Sequence, residues 1–395
     1  MIAMPSVSLP GHDNHGAMKL VLVVPSLGGG GAERVMATLA NAWAIRGVEV
    51  TLITLSSAAN DRYPLDRRVW RVALDVARRS SNPAQALGHN VLRVRALRRA
   101  IRTARPDAVI SFVSNTNVLT IIAAAGLDVP VIISERIYPG QHHVSGAWRA
   151  IRRWLYPRAA SIVAQTRRCA ADLESRVHRK VEVIANPVAA EAHASDAVVR
   201  GHEKTQTVLA VGRLVSQKGF DLLIDAFARV APHHPDWNLV ILGEGPLRAE
   251  LACRITERKL DGCISMPGFD PHVRTAMRRA GLFVLSSRFE GMPNALLEAM
   301  AEGAACVSFD CTAGPRELIT HGENGWLVPA EDVAGLAAAL DTLMQDDVLR
   351  ARLGARAREV CSLYSVSEIV RQWDMLLASV MARDVDRADT AAERA

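Results

Sequence analysis

The stretch Val208-Leu209-Ala210-Val211-Gly212-Arg213-Leu214, with Lys218-Gly219-Phe220-Asp221 just after it, decides the fold. An apolar run of strand length that ends in Gly-Arg reads as a buried strand, and the next segment opens a helix that continues through Val230. Arg213 and Lys218 then leave the carboxyl end of that strand, where open α/β sheets receive ligands. The same alternation extends on either side. Lys19 to Val24 reads as a strand, a Gly-rich turn follows, Ala32 to Ile45 forms a helix closed by Gly47, and Glu49 to Leu55 is again a strand. Further strands are expected at Ala108 to Val113, Val131 to Ser134, Ser161 to Ala164 and Val181 to Ile184. Beyond Asn186-Pro187 the series resumes at Val208 to Val211, then at Leu239 to Leu242, Ile264 to Met266, Leu282 to Leu285 and Cys306 to Phe309. Strands alternating with helical patterns predict an α/β fold with parallel sheets. A chain of 395 residues exceeds what one core fills, so two domains are expected. The boundaries read as a disordered leader over 1–17, a first domain over 18–188, a polar linker over 189–206, a second domain over 207–364, and a last helix over 365–382. The tail over 383–395 is charged and poor in apolar residues, which predicts disorder.

The second domain also carries Ser287-Arg288-Phe289-Glu290-Gly291-Met292-Pro293-Asn294-Ala295-Leu296-Leu297-Glu298-Ala299-Met300, two carboxylates around a turn that opens a helix. Pro293 fits the first helical turn, where its missing N–H costs nothing, and Gly303 stops the run. Glu290 thus precedes the helix and Glu298 lies on its second turn. The amides of Gly291, Met292 and Asn294, near the positive helix end, can receive a diphosphate or a sugar hydroxyl. Carboxylates accept paired bonds from vicinal diols, and Arg213 with Lys218 supplies two fixed cations for a diphosphate. Taken singly, the Glu pair would suit a plain surface helix and either cation an ordinary solvated charge. The turn Gly28 to Gly31 fails the dinucleotide pattern, because position 33 is Glu, and fails the P-loop pattern for want of G-K-[ST]. It is either a loop whose amides approach a ligand closely or a tight turn.

With these motifs the chain resembles the retaining glycosyltransferases of family 4, whose GT-B architecture sets two Rossmann-like, doubly wound parallel-sheet domains facing each other across a cleft. The residues that carry the resemblance are Gly28 to Gly31, Gly212-Arg213 with Lys218, Gly243-Glu244-Gly245-Pro246, the E-x₇-E pair Glu290/Glu298, Gly314-Pro315-Arg316-Glu317, and Gly322-Glu323-Asn324-Gly325-Trp326-Leu327-Val328-Pro329. The resemblance implies a nucleotide diphosphate sugar as donor, with UDP favoured and GDP open. It implies that Glu290 positions donor sugar hydroxyls, that Glu298 holds the ribose, and that Arg213, Lys218 and helix-start amides stabilise the leaving diphosphate. Gly28, Gly29, Gly30, Gly31, Gly212, Gly268, Phe269, Gly291, Met292 and Asn294 would line the donor, its base lying against backbone at Gly268-Phe269. Many relatives carry Ser-Glu-Arg-Asn after a strand of the first domain. Here Ser134-Glu135-Arg136 stands with Ile137 where Asn is common. Glu135 becomes the candidate acceptor-side catalytic group and Arg136 a phosphate contact, unless the two form a loop salt bridge. Arg316 and Glu317 could equally form a capping pair. His142 and His143 read as a solvated loop. The anomeric configuration would be retained, with the departing phosphate oxygen taking the acceptor proton. The last helix would return to brace the first domain.

No metal and no cofactor are expected. The Asp-x-Asp pattern of metal-dependent glycosyltransferases occurs only as Asp384-Val385-Asp386, in the tail. Cys169, Cys253, Cys263, Cys306, Cys311 and Cys361 show no C-x-x-C pair and read as reduced core residues. No apolar run reaches the ~18 residues of a spanning helix, and the first residues lack the basic start and apolar centre of a signal peptide. These features suit a cytoplasmic enzyme. The charge is uneven, with 25 Lys+Arg against 12 Asp+Glu in residues 1–190 and 22 against 29 in the remainder. Val91 to Arg105 and Trp148 to Arg158 interleave arginine with apolar residues at helical spacing, so this domain could lie peripherally on the anionic cytoplasmic face of the inner membrane and meet a lipid-linked saccharide acceptor. The same helices could simply solvate their arginines. A nucleic-acid partner is not expected, because no RNP, zinc-finger or helix-turn-helix pattern accompanies the charge. Three other classes fit parts of the pattern: a non-hydrolysing sugar-nucleotide epimerase of the same architecture, a pyridoxal-dependent phosphorylase, and a basic non-catalytic binding module.

Overall fold

The computed structural model describes residues 17–77, 81–136, 138, 146–188 and 204–392. They form two compact units, one holding the chain up to Pro187 and again from Val366, the other Val188–Ser365. In the first, β1 (Lys19–Val24), β2 (Glu49–Thr54), β3 (Trp70–Ala73), β4 (Ala108–Phe112), β5 (Val131–Ser134), β6 (Ser161–Ala164) and β7 (Glu182–Val183) make one parallel sheet in the order β3-β2-β1-β4-β5-β6-β7. Leu20 through Val24 are all buried although alternate residues point to opposite faces, so helices must cover both sides. These are α1 (Gly31–Ile45), α2 (Pro83–Ala104), α3 (Ser114–Ala124), α4 (Gly146–Leu155) and α5 (Arg167–Val177).

The second unit repeats the plan. Strands β8 (Thr205–Val211), β9 (Asn238–Leu242), β10 (Ile264–Gly268), β11 (Ala280–Leu285), β12 (Ala305–Asp310) and β13 (Trp326–Pro329) follow the order β10-β9-β8-β11-β12-β13, again all parallel. They alternate with α6 (Phe220–Val230), α7 (Arg248–Glu257), α8 (Val273–Arg279), α9 (Asn294–Ala301), α10 (Pro315–Leu318), α11 (Val333–Gln345), α12 (Asp347–Ala357) and α13 (Val360–Leu363). Val208 and Ala210 of β8 share a core with Leu223 and Phe227 of α6 and with Leu336 and Leu340 of α11. Both sheets are Rossmann-like and doubly wound, the α/β class expected from the sequence. Each starts in its middle, so the winding reverses between β1 and β4 in one and between β8 and β11 in the other. Those two switch points are where such sheets leave a crevice.

The last helix, α14 (Val366–Ala392), belongs to the first unit. Its Trp373 is fully buried, with its ring 5.9 Å from that of Phe112. Its Asp374 accepts from Trp43 Nε1 at 2.8 Å and from Arg46 Nη1 at 2.6 Å. Several boundaries differ from the sequence reading. The expected disordered tail continues this helix through residue 392, because its alanines and arginines are good helix formers extending a helix already nucleated. Thr205 and Gln206, expected in the linker, belong to β8, where Thr205 lies opposite Ala280. Pro293 caps α9 from outside it. The leader up to residue 16, the linker over 189–203 and His142 with His143 lie outside the described residues.

Asp374→Ala removes the acceptor of a buried indole N–H and a charged partner together, so unfolding by denaturant should show a loss of about 1–3 kcal/mol. Asp374→Asn, which keeps an oxygen for Trp43, should lose less.

Candidate functional site

At the switch point of the second sheet two loops are tied together. One follows β8 and turns through Ser216–Lys218, and the other follows β11 from Ser286 to Pro293. Lys218 Nζ lies 2.5 Å from Glu290 Oε1, and Ser287 Oγ donates to the same oxygen at 2.7 Å. Backbone and side chains reinforce the link. Arg288 N–H donates to Gln217 O at 2.8 Å, Gln217 Nε2 to Phe289 O at 2.9 Å, and Ser286 Oγ to Lys218 O at 2.9 Å. Arg288 grips Asp221 through both guanidinium nitrogens, at 2.9 and 2.6 Å.

Glycine is required where these backbones touch. Gly219 has φ +61° and a Cβ there would sit 2.1 Å from Ser286 O, while a Cβ on Gly243 would meet Gly212 O at 1.9 Å. Gly212 lets the Lys218 stem lie against the chain, a Cβ there standing 3.3 Å from its methylenes. The wall is completed by Gly314, which has φ +91° and would drive a Cβ to 2.8 Å from Gly291 O.

The site therefore gathers Gly212, Lys218, Glu290 and Gly291. Glu290 is buried, yet its second oxygen has no hydrogen-bond donor among the described residues, so it remains an acceptor for a ligand hydroxyl. Burial, and then the Glu290 charge, push the neighbouring Cys311 thiol up to about 12. Arg213 leaves the same strand end exposed, with no carboxylate partner among the described residues. Met292 is buried, and Asn294 and Glu298 lie half-buried on the first and second turns of α9. Gly268 and Phe269 stand at the carboxyl end of β10, joined to the β9 end by the bond from Gly243 N–H to Gly268 O at 2.8 Å. Arg316 pairs with Asp310, not with Glu317.

The residues assigned to the first unit behave differently. Gly28 to Gly31 precede and open α1, but the Glu33 carboxylate folds back so that a Cβ on Gly30 would lie 2.0 Å from its oxygen. Ser26 Oγ donates to that carboxylate at 3.2 Å. An incoming anion would meet this negative charge. Glu135, the candidate acceptor-side group unless it paired with Arg136, is buried and does not pair with Arg136. It is 4% exposed and takes Ser114 Oγ at 2.5 Å, Arg152 Nη2 at 3.0 Å and Tyr156 OH at 2.8 Å. Burial and the adjacent Glu135 raise the Tyr156 hydroxyl well above its ordinary value. Arg136 stacks 3.6 Å over the Phe112 ring and donates to Asn186 Oδ1 at 2.6 Å, and burial pushes its pKa down to about 9. Its Nε and Nη2 have no partner among the described residues. Sequence spacing offered no sign that Arg152, seventeen positions on, would claim Glu135.

Comparison with known proteins agrees with this architecture. The family model described as Glycosyltransferase Family 4 matches residues 29–192, and that described as Glycosyl transferases group 1 matches residues 194–360. The chain is 29% identical over 373 residues to a Campylobacter jejuni GalNAc-alpha-(1->4)-GalNAc-alpha-(1->3)-diNAcBac-PP-undecaprenol alpha-1,4-N-acetyl-D-galactosaminyltransferase, covering 92% of this chain and 99% of that one. It is 26% identical over 376 residues to the amylovoran biosynthesis glycosyltransferase AmsD of Erwinia amylovora, covering 91% and 99%. Among solved structures, Anabaena HepE in complex with UDP-glucose superposes with a TM-score of 0.75 at 20% identity, covering 92% of this chain and all of that one. Sucrose-phosphate synthase from Thermosynechococcus elongatus gives 0.80 at 19%, covering 93% and 100%. The fold is GT-B.

The contact between the two loops is testable without substrate. Gly219→Ala forces a side chain into positive φ and against Ser286 O, so equilibrium unfolding should show a loss of more than about 1 kcal/mol. Gly262→Ala, where a Cβ meets nothing within 4 Å, should be neutral or slightly stabilising.

Proposed function

The chain belongs to the family 4 glycosyltransferases, and we propose that it moves a sugar, with retention, from a UDP-sugar to a lipid-linked saccharide acceptor in polysaccharide or glycan assembly. The observation that carries this reading is the Lys218–Glu290 pair at the switch point of the second sheet, with one carboxylate oxygen left to accept. Lys218 keeps two further N–H donors for a diphosphate oxygen, and Arg213, exposed at the same strand end, adds a second cation. Charge that builds on the departing diphosphate is met by these side chains and by main-chain N–H groups at the start of α9, with no metal required. The free Glu290 oxygen holds a donor sugar hydroxyl, and Glu298 the ribose. In front-face transfer the bond from the anomeric carbon to the phosphate oxygen breaks as the acceptor oxygen bonds to that carbon, and the phosphate oxygen takes the acceptor proton. The UDP complexes among proteins of like fold and the undecaprenyl-linked substrate of the Campylobacter relative support the choice of donor and acceptor.

The first unit supplies a face for the lipid. Leu92 of α2 and Trp154 of α4 are exposed hydrophobics set among exposed Arg95, Arg99, Arg149 and Arg153. No helix among the described residues is long and apolar enough to cross a membrane. Such a surface suits peripheral attachment to anionic headgroups.

Glu290→Gln should abolish transfer while leaving the fold intact. Glu298→Ala should weaken donor binding by about 1–3 kcal/mol, the worth of a lost charged hydrogen bond. A transfer assay reads the first, and a thermal-shift series with UDP- and GDP-sugars the second, since a true donor stabilises the fold by mass action. Wild-type turnover by Glu290→Gln would remove that residue from the site. Vesicles of phosphatidylglycerol, but not of phosphatidylcholine, should pellet the protein at low salt, and Leu92→Ser with Trp154→Ser should weaken that attachment.

A further inference from the structure

The guanidinium of Arg136, two residues past the end of β5, is 7% exposed and uses only part of its donor capacity. Nη1 donates to Asn186 Oδ1 at 2.6 Å, an oxygen that also takes Gln165 Nε2 at 2.9 Å. Cζ lies 3.6 Å above the Phe112 ring. The remaining edge, formed by Nε and Nη2, is buried and has no partner. Two N–H groups on one edge of a guanidinium point the same way and are spaced for two oxygens of a single anion. Elsewhere in the chain that edge clasps a carboxylate. Arg71 holds Asp61 so at 2.9 and 3.2 Å, Arg176 holds Asp172 with both bonds at 3.0 Å, and Arg371 holds Glu368 at 2.9 and 2.7 Å. Arg136 presents the same fork to the interior, and no carboxylate among the described residues fills it.

Neighbours in sequence offer no counter-charge. Glu135 is committed to Ser114, Arg152 and Tyr156, and residues 137–145 contain no Asp or Glu. A water molecule would satisfy the N–H groups but leave a positive charge uncompensated in the interior, which is strongly unfavourable. The surroundings are held in place beforehand. Val113, next to Phe112 and at φ 77°, donates from its N–H to Ser134 O at 3.2 Å and accepts from Asn117 N–H at 2.9 Å, which ties the end of β4 to that of β5. The first unit also has a cavity of about 400 Å³, walled in part by Val113, Leu119 and Trp148, but Arg136 is not in its lining. Both free nitrogens of the fork are buried, so its occupant has to be small and carry no bulky substituent. We propose that the Nε/Nη2 edge of Arg136 binds a small free oxyanion, of the size of phosphate or sulfate, as counter-ion to the buried guanidinium. Its occupation fixes Arg136 and, through Nη1, Asn186, one residue before the first unit is left at Pro187. The site is independent of the reaction assigned above.

Thermal unfolding of the full-length protein is followed in sodium chloride and again with sodium phosphate or sodium sulfate at the same ionic strength. Wild type should gain roughly 2–4 °C once the oxyanion is well above its dissociation constant. Phosphate could also meet Lys218 in the second unit, so Lys218→Met serves as the control and should keep the gain. Arg136→Met should lose it, and Arg136→Lys, which retains the charge without the fork, should lose most of it. Crystals of wild type grown with selenate should show an anomalous selenium peak within reach of Arg136 Nε and Nη2, a readout that needs no variant to fold. No gain over chloride, a gain that persists in Arg136→Met, or the absence of selenate from Arg136 would each overturn the assignment.

Discussion

The ammonium of Lys218 against the carboxylate of Glu290, 2.5 Å apart at the point where the second sheet reverses its winding, is the interaction that ties its two loops together. Stability is a poor reason for such a pair. Withdrawing two charges from water costs several kcal/mol per ion, and their attraction often does no more than offset it. The pair does, however, fix two loops to each other, one from β8 and one from β11, and Ser287 orients the carboxylate so that one oxygen is committed and the other is not. A ligand at this point would meet a cation and an acceptor already in place, with little ordering left to do on binding.

That arrangement imposes a second constraint, on the backbone. The loops can meet only if nothing projects from Gly219 or from Gly243, where any side chain would overlap a carbonyl oxygen. Gly243 belongs to a motif that resembles family 4, so its presence in the sequence has a mechanical cause. By contrast, the glycine at position 30 leaves room for the carboxylate of Glu33.

The interior strands were legible because a strand buried on both faces carries a largely apolar run, as β1, β4 and β11 do and β8 does over Val208 to Ala210. The strands that escaped notice, β3 and β13, both lie at sheet edges. Trp70 to Ala73 is half exposed, and Trp326 to Pro329 ends in a residue that cannot donate to a ladder, so neither shows a clean period. For the site, the sequence placed Lys218 after one strand and Glu290 before one helix, but it was the resemblance to family 4, not spacing, that singled them out. Partnerships across elements were illegible. Glu135 lies beside Arg136 in sequence, but the strand end turns its carboxylate toward α3 and α4 while the guanidinium turns onto Phe112. Nor could hydrophobic pattern reveal the strained Val113, because a β-branched residue at positive φ is imposed by its tertiary hydrogen bonds and opposed by its own preference.

Glu135 nonetheless bears on the placement of α4, at one remove. Its carboxylate holds Arg152, which lies four positions after Trp148 on α4 and hence on the same side of that helix. With Tyr156 and Ser114 bound to the same group, the network joins the end of β5 to the start of α3 and to the end of α4. A buried ionic cluster of this kind is worth little as net stability, yet breaking one member leaves charge stranded in the interior. Its consequence is positional: α4 cannot rotate without opening the cluster, so the ring of Trp148 stays at the wall of the cavity while Arg149 and Arg153 face outward. One buried carboxylate thereby fixes both the ring of Trp148 at the cavity wall and the outward-facing arginines of α4.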